Sequence, residues 1–227
     1  MRGYGQPCPL AQAAEILTER WTPLVVRELL LGSHRFNDIL RGVPTMSRTL
    51  LSQRLKALED CGIVERRRVG KGWEYHLTAA GRELREVVDA MGSWGMRWAR
   101  RDGLREDDFD VSFLMWDAQR NIDLAAIPID TLVVRLHYRD AEDGLRTWWL
   151  RVSRREGVEL FPGTAALEAD LHVRTDVRTM THIWRGDLSI EEAIEGRVLK
   201  LEGPADLVQA FPTWFLASDW SEVPRPG

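Results

Sequence analysis

Met46 to Leu58, MSRTLLSQRLKAL, is the stretch whose reading decides the fold. Ser47 stands where a helix N-cap belongs, and Leu51, Leu55 and Leu58 follow at steps of four and three, so the segment reads as one short helix with an apolar back. That stripe must be buried. The opposite face carries Arg48, Thr49, Ser52, Gln53 and Lys56, with Arg54 on one flank, and meets no carboxylate before Glu59 and Asp60. Arg, Gln, Ser and Thr bond base edges in a major groove, and Arg and Lys also bind phosphates. Taken alone, the same pattern also describes a solvated amphipathic helix, so the neighbouring segments decide.

Upstream, Pro9 to Leu17 has a helical pattern with Leu10, Ala13, Ala14 and Leu17 on one face. Trp21-Thr22-Pro23 predicts a second helix, with Thr22 as cap and Pro23 at the first helical position, running to a stop at Gly32. Ser33 is the expected cap of a third, His34 to Arg41, with Phe36, Ile39 and Leu40 inward; Gly42-Val43-Pro44-Thr45 breaks it before Ser47. Two short helices joined by a tight turn, the second polar on its outer face, form a helix-turn-helix pattern.

Downstream, Gly62 is the expected left-handed stop of the recognition helix. Ile63 to Val69, a turn at Gly70-Lys71-Gly72, and Trp73 to Leu77 then read as a hairpin with basic flanks and tip. A hairpin directly after a recognition helix is a wing, and Arg66, Arg68 and Lys71 can lie along phosphates or reach a minor groove. A solubilising edge hairpin is the plainer alternative. Candidate DNA contacts are therefore Arg35, Ser47, Arg48, Thr49, Ser52, Gln53, Arg54, Lys56, Arg66, Arg68 and Lys71. Thr78 caps a longer helix, Ala79 to about Arg101, with an apolar stripe of Leu84, Val87, Val88, Met91, Trp94 and Trp98. That is more apolar surface than a small winged domain needs for its own core, which predicts a two-fold dimer through Val87, Met91, Trp94 and Trp98.

Charge supports the same division of labour. Residues 1–102 hold 17 Lys and Arg against 12 Asp and Glu, a net of +5, while the remainder holds 14 against 23, a net of −9. A polyanion partner, double-stranded DNA, suits the first part and a different role suits the second. The chain has no run of 18 apolar residues and its N-terminus lacks the apolar core of a signal peptide, so the expected location is cytoplasmic, with no membrane partner. Only Cys8 and Cys61 are present, which excludes a disulfide scaffold or a cysteine-built zinc site.

Several stretches of the first hundred residues look like the HxlR-type winged helix-turn-helix regulators of the MarR-like superfamily. They are Cys8-Pro9-Leu10, Arg20-Trp21-Thr22, Arg35-Phe36-Asn37-Asp38, Ser47 to Leu55, Gly62-Ile63-Val64-Glu65-Arg66 and Glu74 to Gly81, in the expected order. The resemblance implies a dimeric bacterial transcription factor, repressor or activator. The turn Val69-Gly70-Lys71-Gly72 is shorter than in many members. Some relatives sense oxidants or electrophiles through a cysteine near the N-terminus, and Cys8 stands at the matching place; this demands an exposed thiolate near positive charge, for which Arg2 is the close basic residue in sequence. Cys61, at the inner end of an apolar stripe, is expected to be a buried small hydrophobe.

Gly103 to Asp108 is acidic and breaker-bearing and marks the expected boundary between residues 1–102 and 103–227. The second part reads as helix (Val111 to Leu124), strands (Ile129 to Tyr138, Leu145 to Val152, Gly157 to Phe161, Ala169 to Arg174), helices after Asp176 and Ser189, a strand (Arg197 to Leu201) and a final helix after Gly203-Pro204. The fold class is α+β throughout. Ala169 to Thr175, Trp184 to Ala193 and Gly196 to Gly203 resemble sterol-carrier-protein-type domains, in which a helix-covered sheet encloses an apolar tunnel for lipid-like ligands.

No Gly-rich phosphate loop, G-x-S-x-G elbow or HExxH motif occurs, so the reading is a non-enzyme with no catalytic residues, cofactor or metal site, and His137, His172 and His182 are read as structural. Trp116, Trp148, Trp149, Trp184, Phe211, Trp214 and Phe215 are either packed core or, in part, the lining of a pocket for a small hydrophobic or aromatic effector. Neighbours on a strand point to opposite faces, so Trp148 and Trp149 cannot share one core; one should face a pocket, a helix layer or the DNA-binding half. The leading expectation is an effector-controlled dimeric regulator on an inverted-repeat operator. A Cys8-based redox repressor with a structural second domain, and a lipid carrier whose winged domain serves protein contacts, are the alternatives.

Overall fold

The computed structural model describes residues 3–99, 103–165, 167–215 and 217–224. The chain divides into two compact units, residues 1–95 and 96–227, the division falling within a long helix rather than at the acidic 103–108 linker.

The first unit contains α1 (Pro9–Leu17), α2 (Thr22–Leu30), α3 (Phe36–Arg41), α4 (Arg48–Asp60), β1 (Val64–Val69), β2 (Gly72–Leu77) and the start of α5 (Ala79–Trp98). Leu51, Leu55 and Leu58 of α4 are buried together with Val25, Val26 and Leu29 of α2, Ile39 of α3, and Val43 and Met46 of the turn. Strands β1 and β2 pair antiparallel from Val64↔Leu77 to Val69↔Gly72, leaving Gly70 and Lys71 as a two-residue turn. An isolated bridge between Arg35 and Glu74, with the Tyr75 N–H donating to the His34 carbonyl at 2.8 Å, adds a third short edge to the wing.

Three local expectations are revised, at Thr22, Ser33 and Cys61. The N-cap of α2 is Trp21, not Thr22; Trp21 has left-handed backbone (φ 79°), and Thr22 is buried as the first helical residue. Ser33 does not cap α3, because its buried hydroxyl donates to Glu28 Oε2 at 3.2 Å and the residues after it pair with the wing, delaying the helix to Phe36. α1 buries no residue fully: Leu10 is 76% exposed, while Ala14, Ile16 and Leu17 are half-buried. Cys61 is exposed, because the buried stripe ends at Leu58 and Cys61 sits past the helix, where Gly62 (φ 71°) turns the chain away. The expected end of α5 near Arg101 lies outside the described residues.

The second unit contains α6 (Val111–Ala118), β3 (Thr131–Tyr138), β4 (Thr147–Ser153), β5 (Gly157–Pro162), β6 (Leu171–Thr175), α7 (Val177–Trp184), α8 (Ile190–Glu195), β7 (Lys200–Glu202) and α9 (Ala205–Trp214). The sheet order is β5-β4-β3-β6-β7, antiparallel except for the parallel β3/β6 pair at its centre. Strand β3 alternates: Leu132, Val134, Leu136 and Tyr138 are buried while Val133, Arg135 and His137 are half-exposed. The buried face joins Leu114 and Met115 of α6, Met180 and Ile183 of α7, Ile190 and Ala193 of α8, and Leu207, Phe211 and Trp214 of α9 in one core. The helix expected over Val111 to Leu124 stops at Ala118 and continues as a 3-10 turn, Gln119–Asn121. The strand expected over Arg197 to Leu201 forms only at Lys200–Glu202, because Arg197 has left-handed backbone and the N–H groups of Val198 and Leu199 turn back to the Ala193 carbonyl.

Candidate nucleic-acid interface

The orientation of α4 is set by its two ends. At the start, Ser47 Oγ accepts from the Leu50 N–H at 3.2 Å, satisfying one of the donors a first turn leaves open. This leaves Arg48, Thr49, Ser52, Gln53 and Lys56 exposed on one face while the leucines hold the other. The Arg48 guanidinium donates to Asn37 Oδ1 at 3.0 Å and lies 5.1 Å from the Phe36 ring centroid, so α3 holds it in place.

Arg54 has a different environment from its neighbours. Its guanidinium donates to Glu19 Oε2 at 2.7 Å and to the Arg20 carbonyl at 3.1 Å, and its side chain is only 18% exposed. It ties α4 to the α1–α2 corner. At the far end, Lys56 pairs with Asp60 at 2.6 Å and Glu59 at 3.7 Å. The hydrogen bond and charge of Asp60 hold its ammonium above the ordinary lysine pKa, and the two carboxylates offset its charge at that end of the helix.

On the wing, Arg66 lies 4.1 Å from the Trp73 ring centroid, Arg68 is exposed on the same face of β1, and Lys71 is exposed in the turn. Arg35 is exposed and reaches Glu74 at 3.5 Å. Wing and helix belong to one rigid arrangement, since the Thr78 hydroxyl donates to the Gly62 carbonyl at 2.7 Å and the Ile63 N–H to the Leu58 carbonyl at 2.9 Å. The sequence reading missed the bracing partners Glu19, Asn37 and Glu74, and the stacked pair His34 and His76 with ring centroids 4.3 Å apart at the base of the wing. No local pattern marks them, because each meets its partner only through the tertiary fold.

Residues 16–103 match the HxlR-like helix-turn-helix family. Over 95 residues the chain is 38% identical to the uncharacterized HTH-type transcriptional regulator YvaP of Bacillus subtilis, covering 40% of this chain and 88% of YvaP. The chain belongs to the HxlR-like helix-turn-helix family. Membership makes it a DNA-binding regulator of transcription, with α3 and α4 as the helix-turn-helix pair and β1–β2 as the wing. The regulator sll1512 of Synechocystis is 36% identical over 101 residues, covering 43% of this chain and 75% of its own length. Among solved structures, the reduced form of the transcriptional regulator YodB from B. subtilis is 32% identical, covering 44% of this chain and all of YodB at a TM-score of 0.38. The reduced form of the redox regulator HypR is 30% identical at a TM-score of 0.37, covering 39% of this chain and 90% of HypR. The family match stops at residue 103, so the second unit stands on its own geometry.

Along α5, Val87, Met91, Trp94 and Trp98 are 41%, 51%, 62% and 40% exposed, at helical steps of four, three and four. Val88 is buried and Leu84 is half-buried. Of the seven aromatic residues considered for a ligand, Trp148, Phe211, Trp214 and Phe215 are core residues. Phe211 packs on Trp214 and Phe215 with centroids 5.0 and 5.1 Å apart. Trp116 and Trp184 are half-buried, the first under Arg120 and the second donating through Nε1 to Asp117 at 2.8 Å. Trp149 is buried on the opposite sheet face from Trp148, its Nε1 donating to the Gly163 carbonyl at 3.0 Å and the Arg135 guanidinium lying 5.9 Å from its ring centroid. Phe215 also lines an open groove of about 430 Å³ with Ile183, Leu188, Ile190 and Pro212, and the acidic Asp187, Glu191, Glu192 and Glu222 line it as well. Cys8 is exposed at the N-cap of α1, and Arg2 lies outside the described residues. Among the described residues, no cluster of three His, Cys, Asp or Glu side chains has metal-site geometry, and no helix is long and apolar enough to cross a membrane.

Proposed function

We propose that this regulator binds an inverted-repeat operator as a two-fold dimer, laying the first two turns of α4 in the major groove and the wing along the flanking backbone. The observation that carries the reading is the exposed, carboxylate-free face of Arg48, Thr49, Ser52 and Gln53, held at a fixed angle by the Ser47 cap and the buried leucines. Arg66, Arg68 and Lys71 supply phosphate contacts that are independent of sequence and weaken with salt. Dimerisation draws support from the exposed α5 stripe and from the exposed Leu10 of α1. A two-fold arrangement sets the recognition helices about 34 Å apart, one DNA turn.

The test is a mobility shift on the protein's own promoter region over a salt series, with Arg48→Ala and Gln53→Ala beside wild type. A weaker shift in both variants, with folding intact, is expected; unchanged binding would remove this face from the interface.

For the second unit the reading is a binding domain for a small hydrophobic effector, related in plan to sterol-carrier proteins. A sheet packed by helices and the groove lined by Ile183, Leu188, Ile190, Pro212 and Phe215 support it. Control would require the effector to bind the DNA-competent and incompetent dimers unequally. Tryptophan fluorescence titrations with fatty acids and aromatic compounds test this, and no saturable change with any of them would leave the domain structural. The packing of Phe211, Trp214 and Phe215 on one another favours that structural role as the second reading, with control passing to the exposed Cys8 thiol. In that case peroxide or quinone treatment abolishes the shift of wild type and spares Cys8→Ser.

A further inference from the structure

The outer face of the second unit's sheet carries a group of side chains that neither reading uses. In β3 and β6, which run parallel at the sheet centre, Arg135 is paired with His172 and His137 with Arg174. All four lie on the face opposite the core, because Leu132, Val134 and Leu136 and then Leu171 and Val173 take the inward positions. Two arginines and two histidines thus form a two-by-two block from neighbouring strands, lining an open depression of about 200 Å³.

Arg174 faces Lys200 of the outer strand β7 in register, while His172 faces Glu202. Like charges facing each other across a sheet are unfavourable, and sheets ordinarily relieve them with an opposite charge on the next strand. The same face does so nearby, where Arg151 of β4 meets Glu159 of β5 at 2.7 Å. At the block, relief is partial. Arg174 reaches Glu202 of β7 at 3.2 Å. Arg135 Nε is buried and has no hydrogen-bond partner, and its guanidinium is set 5.9 Å from the Trp149 ring centroid. Burial, then the charges of Arg135, Arg174 and Arg146, hold the His137 imidazole below its ordinary pKa, as expected where the local potential is positive. This concentration of positive charge sits in a part of the chain whose net charge is −9.

We propose that this block is a binding site for a small multiply charged oxyanion, a phosphate ester or a polycarboxylate, with Arg135 and Arg174 as paired guanidinium donors and His137 and His172 completing the rim. Guanidinium groups bond the oxygens of carboxylate and phosphate in a planar fork, and the buried Nε of Arg135 is a desolvated donor with no acceptor to offset that cost. The depression, at about 200 Å³, is large enough for inorganic phosphate or citrate. The site is independent of the apolar groove and of any effector there.

The experiment titrates inorganic phosphate and, separately, citrate into the full-length protein at constant ionic strength, with chloride as the reference anion. It follows the Nε–Hε resonance of Arg135 in 15N-labelled protein and the heat of binding. A saturable shift of that resonance with either anion is expected; phosphate alone assigns the phosphate-ester class, and citrate alone the polycarboxylate class. Arg135→Gln should weaken binding at least tenfold, whereas Arg151→Gln, whose side chain already has Glu159, should bind as wild type. If Arg135→Gln fails to fold, the wild-type titration and Arg174→Gln carry the test. An Arg135 resonance that moves no further than in chloride, equal affinity in Arg135→Gln, or a response to duplex DNA and to neither small anion would overturn the site.

Discussion

A Cβ placed on Gly42 would lie 1.9 Å from Glu28 Cδ, so the carboxylate of α2 occupies the space a side chain at the end of α3 would need. Glu28 is fully buried, pairs with Arg27 at 2.7 Å and accepts from Ser33, while Arg27 also donates to the Gly42 carbonyl at 3.0 Å. Helix, glycine and arginine together set the distance between α2 and the turn that leads into α4. Gly42→Ala is therefore expected to cost about 1–3 kcal/mol, the range of core overpacking, read as a lower midpoint of chemical denaturation. A midpoint equal to wild type would show that Glu28 has another place to go.

Arg54 and Arg48 stand six residues apart on one helix, yet their substitutions should separate. Arg54→Ala removes the contacts to Glu19 and the Arg20 carbonyl and is expected to lower stability by about 1 kcal/mol, with DNA affinity falling alongside it. Arg48→Ala and Gln53→Ala, at exposed positions, should leave the melting temperature within a degree or so and weaken operator binding by about 1–3 kcal/mol each. Thermal melts beside binding isotherms distinguish the two classes.

Trp94 is the most exposed of the four large apolar residues on α5. Trp94→Glu places a charge in the centre of the proposed subunit contact and is expected to yield a monomer in sedimentation at concentrations where wild type is a dimer, with half-site rather than full-site DNA binding. A wild-type monomer at those concentrations ends the dimer reading without needing the variant.

Asp176 caps α7, its carboxylate accepting from the Thr179 N–H at 2.6 Å and pairing with Arg139. Burial pushes its pKa up, but the Thr179 hydrogen bonds and then Arg139 outweigh burial and hold it below the ordinary carboxylate range. The folded pKa lies below the unfolded one, so the unfolded chain takes up the proton first. The stabilisation is fully present above the unfolded value, near 4, and is lost as pH falls from there through the folded pKa. Asp176→Asn keeps a cap acceptor but loses the charge pair with Arg139, and is expected to cost up to about 1 kcal/mol at neutral pH and to flatten that acid limb in pH-dependent unfolding. A variant whose stability falls with acid as steeply as wild type would assign the limb to other carboxylates.

Much of the first unit was legible because its signals are local. The leucine spacing, the Ser47 cap and the basic hairpin each need only a few adjacent residues to specify a helix face or a turn. Helix starts were less legible: Thr22 and Ser33 have the right chemistry for caps, but tertiary partners claimed them, the core in one case and Glu28 in the other. Cys61 was misread because its place in the apolar spacing continues past the point where the helix stops.

By itself, then, the amino-acid sequence determined a helix-turn-helix with a basic wing, a change of charge sign between the two parts of the chain, and an α+β second part, all consequences of periodicity and composition. The tertiary structure alone decided which arginines are open and which are braces, that Trp148 enters the core while Trp149 closes the other face, and that Arg135, His137, His172 and Arg174 meet. The reason is strand pairing: residues 37 apart, such as Arg135 and His172, become neighbours only through the β3/β6 register, which no local pattern encodes.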